Sequence, residues 1–157
     1  MNAYFKPLCA FVLAALCSIA QAATLLPPST PFTAYGMFTL QSGTIPTTTC
    51  NISLSGTTGT SNTASITTVS ITGTGFCPAI TASWLPWTWT ATSTTAATLS
   101  GVKLLVQGKS CTISSATLNG SWSNASNTLS FSPNQFFGDC ILGNLRFSPS
   151  PMFTVVP

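Results

Sequence analysis

The chain has 157 residues and a formal net charge of +3, and it contains no histidine and only 3% charged residues. Soluble proteins carry about 25% charged residues, so we expect neutral hydroxyl and amide side chains to keep this surface wet. The few basic residues form no patch that could neutralise phosphates, which excludes nucleic acid as a partner. Because 45% of the residues are hydrophobic, the composition is also unlike that of disordered proteins.

The first segment, residues 1–22, has the pattern of an export signal. Lys6 supplies a positive charge, residues 8–19 are an apolar run, and Ala20-Gln21-Ala22 is a small-x-small cleavage site. The apolar run is shorter than the roughly 20 residues that a membrane-spanning helix needs. We therefore predict cleavage after Ala22, secretion to the extracellular space or cell surface, and no specific membrane insertion. An uncleaved anchor and a lipoprotein modified at Cys17 are the alternatives.

The rest of the chain has the length of one domain. We divide it into an all-β domain at residues 23–148 and a proline-rich apolar tail at residues 149–157. The tail is a candidate for exposure, but it could instead complete a sheet of its own molecule or of a neighbour. The charges that remain after cleavage are those of Lys103, Lys109, Asp139 and Arg146.

Cysteines also indicate export, because an even number of them in a secreted chain predicts disulfides. Those that remain after cleavage are Cys50, Cys77, Cys111 and Cys140. The sequence Cys50-Asn51-Ile52-Ser53 is similar to Cys111-Thr112-Ile113-Ser114, and each is followed by a polar stretch that returns to a cysteine. The domain could therefore consist of two degenerate repeats, which would favour pairing within each repeat. Four cysteines allow three pairings, and the sequence does not decide between them.

Eight segments are rich in β-branched and aromatic residues and are separated by glycine, asparagine and serine turn-formers. No window of useful length has helical periodicity. We therefore predict a single antiparallel β-sandwich or barrel of about eight strands, stapled by disulfides. The predicted strands are residues 33–40, 48–55, 64–72, 84–92, 98–107, 111–118, 127–132 and 140–147.

A short segment at 84–89, Trp84-Leu85-Pro86-Trp87-Thr88-Trp89, contains three of the four tryptophans. Pro86 cannot donate a ladder hydrogen bond, so this segment is an edge strand, a bend or a loop. Alternation after Pro86 places Trp87 and Trp89 on one face. These rings either fill the core or present an apolar surface to a hydrophobic partner. The candidate binding surface consists of Trp84, Leu85, Trp87, Trp89, Phe136 and Phe137.

The residue types that the sequence lacks limit the chemistry that the protein can perform. Without histidine, a serine nucleophile would need Lys103 or Lys109 as its base, and neither lies in a Ser-x-x-Lys setting. Asp139 is the only acidic residue, which leaves neither a carboxylate pair for hydrolysis nor enough ligands for calcium. We predict no enzymatic activity, no metal and no cofactor, and we expect Asp139 to cap a turn.

Several short motifs, taken in order, resemble the secreted bacterial activators of alkane oxidation, the PraB-like family. The resemblance extends over nearly all of residues 23–157. It implies a small extracellular protein that aids growth on alkanes, or a surface-associated component of adhesion or biofilm, and it brings no catalytic residue. The motifs are Pro31-Phe32-Thr33-Ala34, Gly75-Phe76-Cys77, Leu85-Pro86-Trp87, Ala97-Thr98-Leu99-Ser100-Gly101-Val102, Trp122-Ser123-Asn124-Ala125 and Thr128-Leu129-Ser130-Phe131.

Three functions are compatible with these observations. The first is a non-enzymatic extracellular protein whose aromatic surface binds a hydrophobic surface or an alkane droplet. The second is a self-associating subunit of an extracellular matrix, biofilm or fibre, because edge strands without charges favour association. The third is a carbohydrate-binding module that uses the tryptophans as a stacking platform, although few acidic or amide groups lie near them. We favour the first.

Overall fold

The computed structural model describes residues 23–157, and the predicted export signal at residues 1–22 lies outside the described residues. The described chain is all-β apart from one 3-10 turn at Cys77–Ala79. The strands are β1 (Thr24–Leu26), β2 (Pro31–Ser42), β3 (Ile45–Thr58), β4 (Thr63–Thr72), β5 (Ile80–Ser83), β6 (Trp87–Ala91), β7 (Ala96–Val106), β8 (Lys109–Ser110), β9 (Ala116–Ser123), β10 (Thr128–Phe131), β11 (Gln135–Phe137), β12 (Cys140–Leu142), β13 (Arg146–Ser150) and β14 (Thr154–Val156).

Eight of these strands close into an antiparallel barrel in the order β2, β13, β10, β9, β7, β6, β4 and β3, and the long pairing of β3 with β2 completes the circle. Inward side chains alternate with outward ones along β6, where Trp87, Trp89 and Ala91 are buried and the threonines between them are not. This alternation is what a sheet with one buried face requires. The prediction of an all-β sandwich or barrel is therefore confirmed, and the structure is the barrel.

Extra strands extend the wall at the end of the barrel that carries the β2–β3 turn, which we call the upper end. On β2, residues 33–37 pair with β13, whereas residues 40–42 pair with β12. On β7, residues 97–100 pair with β6, whereas residues 103–106 pair with β5. The pair β11–β12 and the strands β5 and β8 therefore continue the wall upward.

The predicted strands agree with the structure where they are long. The segments at 33–40, 48–55 and 64–72 lie within β2, β3 and β4, and 98–107 and 127–132 overlap β7 and β10. Three other segments need correction. The one at 84–92 forms a strand only from Trp87, the one at 111–118 is a turn until Ala116, and the one at 140–147 is two strands.

Both disulfides lie towards the upper end. Cys50 pairs with Cys77 and joins β3 to the 3-10 turn, while Cys111 pairs with Cys140 and joins the segment after β8 to the start of β12. This is the pairing that the repeat favours. The repeat itself stays a prediction. The two segments do not have the same local structure, since Cys50 lies within a strand and Cys111 does not. Two disulfides are consistent with an oxidising compartment.

The C-terminal segment at residues 149–157 belongs to the same fold. It ends β13 and then forms β14, which pairs with β1 of the same molecule. The Phe153 ring stacks on Trp89 with centroids 5.1 Å apart and meets Phe32 edge-on at 5.0 Å. Of the two interpretations of this segment, the structure has the one in which it completes its own sheet. It covers the lower end of the barrel, and Met152 remains exposed there.

Candidate functional site

Two of the tryptophans predicted for the binding surface lie in the core instead. The side chains of Trp87 and Trp89 are only 2% and 1% exposed. The Trp87 indole donates to the carbonyl of Ser83 at 3.0 Å, and the Trp89 ring packs 5.1 Å from Trp122. Because β6 pairs with β4 on one side and β7 on the other, its inward face is enclosed by the barrel. Of the two alternatives for these rings, the structure has the one in which they fill the core, and their inclusion in the candidate binding surface is wrong.

The two neighbouring phenylalanines of β11 divide in the same way. Phe137 faces inward and is buried, so its assignment to an exposed surface is also wrong. Phe136 faces outward and is 75% exposed. It pairs across the ladder with Ile141 of β12, which in turn pairs with Gln41 of β2. The sequence pair could not show which ring faces the core, because both are equally apolar.

Trp84 and Leu85 project from the barrel wall where β5 gives way to β6. Ser83 is the last residue of β5 paired with β7, and Thr88 is the first of β6 that pairs with it again. The residues between them leave the ladder, as the proline at 86 requires. Trp84 has a φ of 59°, in the left-handed region that tryptophan rarely adopts, and its side chain is 59% exposed.

A lysine beneath the indole ring holds this projection in place. The Lys103 Nζ lies 3.7 Å from the centroid of the Trp84 ring, a cation–π contact. The same ammonium donates to the carbonyl oxygen of Ile113 at 3.3 Å. Trp84 and Ile113 are therefore neighbours that share one cation, and the Ile113 side chain is 99% exposed. We call Trp84, Leu85 and Ile113 the Trp84 face.

Ile113 was not among the predicted site residues. The segment 111–118 was predicted as a strand, in which an isoleucine would have been assigned to the core. Instead, residues 111–115 form the turn that connects β8 to β9. The available signal was an isolated isoleucine in a run of small hydroxyl residues directly after a cysteine, which is unusual for a buried strand.

A depression of about 460 Å³ lies beside the Trp84 face, and Lys103, Thr112, Ile113 and Asp139 help to line it. Asp139 lies in the turn between β11 and β12, and its backbone N–H donates to the carbonyl of Cys111 at 2.9 Å. That its side chain caps this turn stays a prediction. The same β-hairpin carries Phe136 on its outer side. The upper wall thus combines exposed apolar side chains with two lysines, Lys103 and Lys109, and the carboxylate of Asp139.

The interior of the barrel is filled by side chains. The cavity at its centre measures about 20 Å³ and is lined only by apolar residues, including Phe38, Trp87 and Leu118. Ligand pockets for small molecules usually measure about 300–1,000 Å³. The interior of this conformation therefore has no room for a hydrocarbon chain.

Two further observations concern residues 23–157. They contain no group of three or more histidine, cysteine, aspartate or glutamate side chains that could hold a metal ion. No helix in this part of the chain is long and apolar enough to cross a membrane.

The chain was compared with protein families, curated proteins and solved structures. The family model described as alkane oxidation protein activator, PraA/PraB-like, matches residues 1–157. No curated protein and no solved structure matches the chain. The family resemblance carried by the short sequence motifs is thereby confirmed over the whole chain.

Proposed function

Because the chain belongs to the family of PraA/PraB-like activators of alkane oxidation, we propose that it is a secreted, non-enzymatic protein that adsorbs to hydrocarbon surfaces and so assists alkane use. The family description supports a role in activating alkane oxidation. Two disulfides support an oxidising compartment outside the cytoplasm. The Trp84 face, together with Phe136, is the surface that meets the hydrocarbon.

One contrast within the structure carries this proposal. The core is packed so tightly that only about 20 Å³ is left at its centre, while large apolar side chains stand exposed on the upper wall. A protein that carried alkanes inside its barrel would need the opposite arrangement. Contact with hydrocarbon therefore takes place on the outer surface.

The energetics of adsorption favour this surface. Transfer of a large apolar side chain from water into an apolar phase is worth about 1.5–3 kcal/mol. The four exposed side chains could thus supply several kcal/mol, while the threonines and serines on the rest of the barrel stay in water. The left-handed backbone of Trp84 keeps the indole out of the core, and Lys103 supports it from below.

The test is adsorption of purified protein to hexadecane droplets. We expect the double variant Trp84→Ala/Ile113→Ser to adsorb at least about tenfold more weakly than the wild type, because loss of 1.4 kcal/mol already lowers the equilibrium constant tenfold. Met152→Ser is the matched control, since this side chain is 67% exposed at the opposite end. Circular dichroism checks that all three proteins are folded.

The result that would contradict the proposal is either no adsorption by the wild type or the same loss in both variants. The first outcome would favour the self-associating matrix or fibre subunit. Scarcity of surface charge supports that second candidate, because little repulsion keeps copies apart. Against it, barrel closure pairs both edges of the long strands. Sedimentation at increasing concentration distinguishes the two, since a subunit of this kind polymerises without any droplet.

The carbohydrate-binding alternative loses its basis in the structure. Its stacking platform was to consist of several tryptophan rings, but Trp87 and Trp89 are enclosed by the barrel. Only Trp84 is left exposed, and a single indole beside two aliphatic side chains presents few of the hydrogen-bonding groups that sugars need.

A further inference from the structure

Lys103 is an unusual residue for a protein with so few charges. Its side chain is only 9% exposed, although it points away from the inward-facing Val102 and Leu104 on β7. Its ammonium contacts one aromatic ring and one neutral carbonyl oxygen. No carboxylate in residues 23–157 forms an ion pair with it. A buried cation is costly unless it is paired and hydrogen-bonded.

Protein groups use only part of the hydrogen-bonding capacity of this ammonium. A lysine ammonium has three donors, and a single acceptor, the carbonyl of Ile113, takes one of them. A second polar group nearby is also unsatisfied, because the Thr112 hydroxyl is buried without a hydrogen-bond partner. Lys103 and Thr112 both line the depression beside the Trp84 face. The lining of this depression therefore includes a cation with only one protein acceptor, whereas the Thr112 hydroxyl, although it lacks a partner, is closed off from solvent.

We propose that this depression binds the carboxylate head group of an amphiphile whose hydrocarbon chain lies across the Trp84 face. The Lys103 ammonium donates to the carboxylate, and the chain contacts Trp84, Leu85 and Ile113. This proposal rests on the proposed function, since the chain occupies the same apolar surface. It adds that the surface discriminates, because an anionic head group gains a charge-assisted hydrogen bond that a neutral alkane lacks.

Asp139 provides a second test of the proposal, in which the expected change in binding has the opposite direction. Asp139 lines the same depression, so its negative charge would repel an anionic head group. Removal of this charge should therefore strengthen binding, whereas removal of the lysine charge should weaken it. A surface that bound amphiphiles through apolar contact alone would respond to neither change.

The experiment is calorimetric titration of the mature protein with dodecanoate and with dodecanol, below the concentrations at which either aggregates. We expect the wild type to bind dodecanoate at least about tenfold more tightly than dodecanol. Lys103→Met keeps the length of the side chain and its packing under Trp84, and it should abolish this preference. Lys109→Met removes an exposed lysine on β8 and is the matched control, which should keep the preference.

Three outcomes would overturn the proposal. They are a wild type without preference for dodecanoate, an equal loss in the two lysine variants, and an Asp139→Asn variant that binds dodecanoate no more tightly than the wild type. The last test holds even if Lys103→Met does not fold, because Asp139 lies in an exposed turn. Hexadecane adsorption separates the two proposals, since Asp139→Asn should change dodecanoate binding and leave adsorption to the neutral droplet as it is in the wild type.

Discussion

At the scale of single residues, one asparagine side chain takes the place of a missing strand. The Asn124 Oδ1 accepts from the backbone N–H of Val155 at 2.8 Å and from the indole of Trp122 at 2.6 Å. Its Nδ2 donates to the carbonyl of Val155 at 2.9 Å. The amide thus pairs with β14 as a neighbouring backbone would, and it fixes β14 against the turn between β9 and β10.

Substitution of Asn124 by alanine should destabilise the protein by about 2–4 kcal/mol. It leaves both backbone groups of Val155 and the indole of Trp122 without their partner, and each unsatisfied buried group costs about 1–3 kcal/mol. Water that reaches the partly buried site should reduce the sum. The free energy of unfolding from urea titration gives the measurement.

Asn51→Ala is the control for this substitution. Asn51 lies on the outer face of β3, where its side chain is exposed, and such changes usually alter stability by no more than about 0.5 kcal/mol. If both variants lower the free energy of unfolding by the same amount, the hydrogen bonds of the Asn124 amide to β14 do not contribute to stability as proposed.

At the scale of elements, closure of the barrel depends on glycine where strands approach most closely. Gly36 lies in the inward-facing row of β2, between Ala34 and Phe38, and pairs with Phe147 of β13. A Cβ atom on Gly36 would overlap the carbonyl oxygen of Arg146. β2 can therefore bend towards β13 only where it has no side chain.

Gly36→Ala should lower the free energy of unfolding by about 1–3 kcal/mol, the usual cost of overpacking. Backbone atoms of β13 would have to move, and β13 is held by β2 and β10 together. The matched control is Gly43→Ala in the β2–β3 turn, where a Cβ atom would meet nothing within 4 Å. Thermal unfolding followed by circular dichroism measures both variants, and similar melting temperatures would show that β2 does not need this glycine.

The limits of prediction from sequence also appear at this scale. The strands β2, β3 and β4 were recognisable because each contains β-branched and aromatic residues over ten residues or more. β11 and β14 have three residues each, too few for alternation to be visible. Their pairing partners, β12 and β1, are equally short.

The candidate site was predictable only in part, for a related reason. Alternation placed Trp87 and Trp89 on one face, but which face is inward depends on how all eight strands close into the barrel. Proline at 86 left an edge strand, a bend or a loop open, and the structure has a break there between β5 and β6. That Trp84 differs from the other two tryptophans was not predicted. The support of Trp84 by Lys103 joins residues from different strands, and no local pattern records such a contact.

At the scale of the whole molecule, the two ends of the barrel are secured by different means. At the lower end, β14 and the Phe153 ring close the barrel by hydrogen bonds and aromatic packing. Towards the upper end, two disulfides tie the connecting segments to the wall. Because no ion pair contributes in residues 23–157, stability rests on the apolar core, the strand ladders and these two covalent links.

Removal of either disulfide should therefore cost a large share of the total stability. The paired cysteines are 27 and 29 residues apart, and closure of loops of this length is worth about 3.5 kcal/mol in the chain-entropy model. We expect Cys50→Ala/Cys77→Ala and Cys111→Ala/Cys140→Ala to lose similar amounts. Together they approach the roughly 5–15 kcal/mol of a typical domain, so a reductant should shift the urea midpoint of the wild type steeply downward. A loss below about 1 kcal/mol in either double variant would mean that the core and the ladders hold that region without the covalent link.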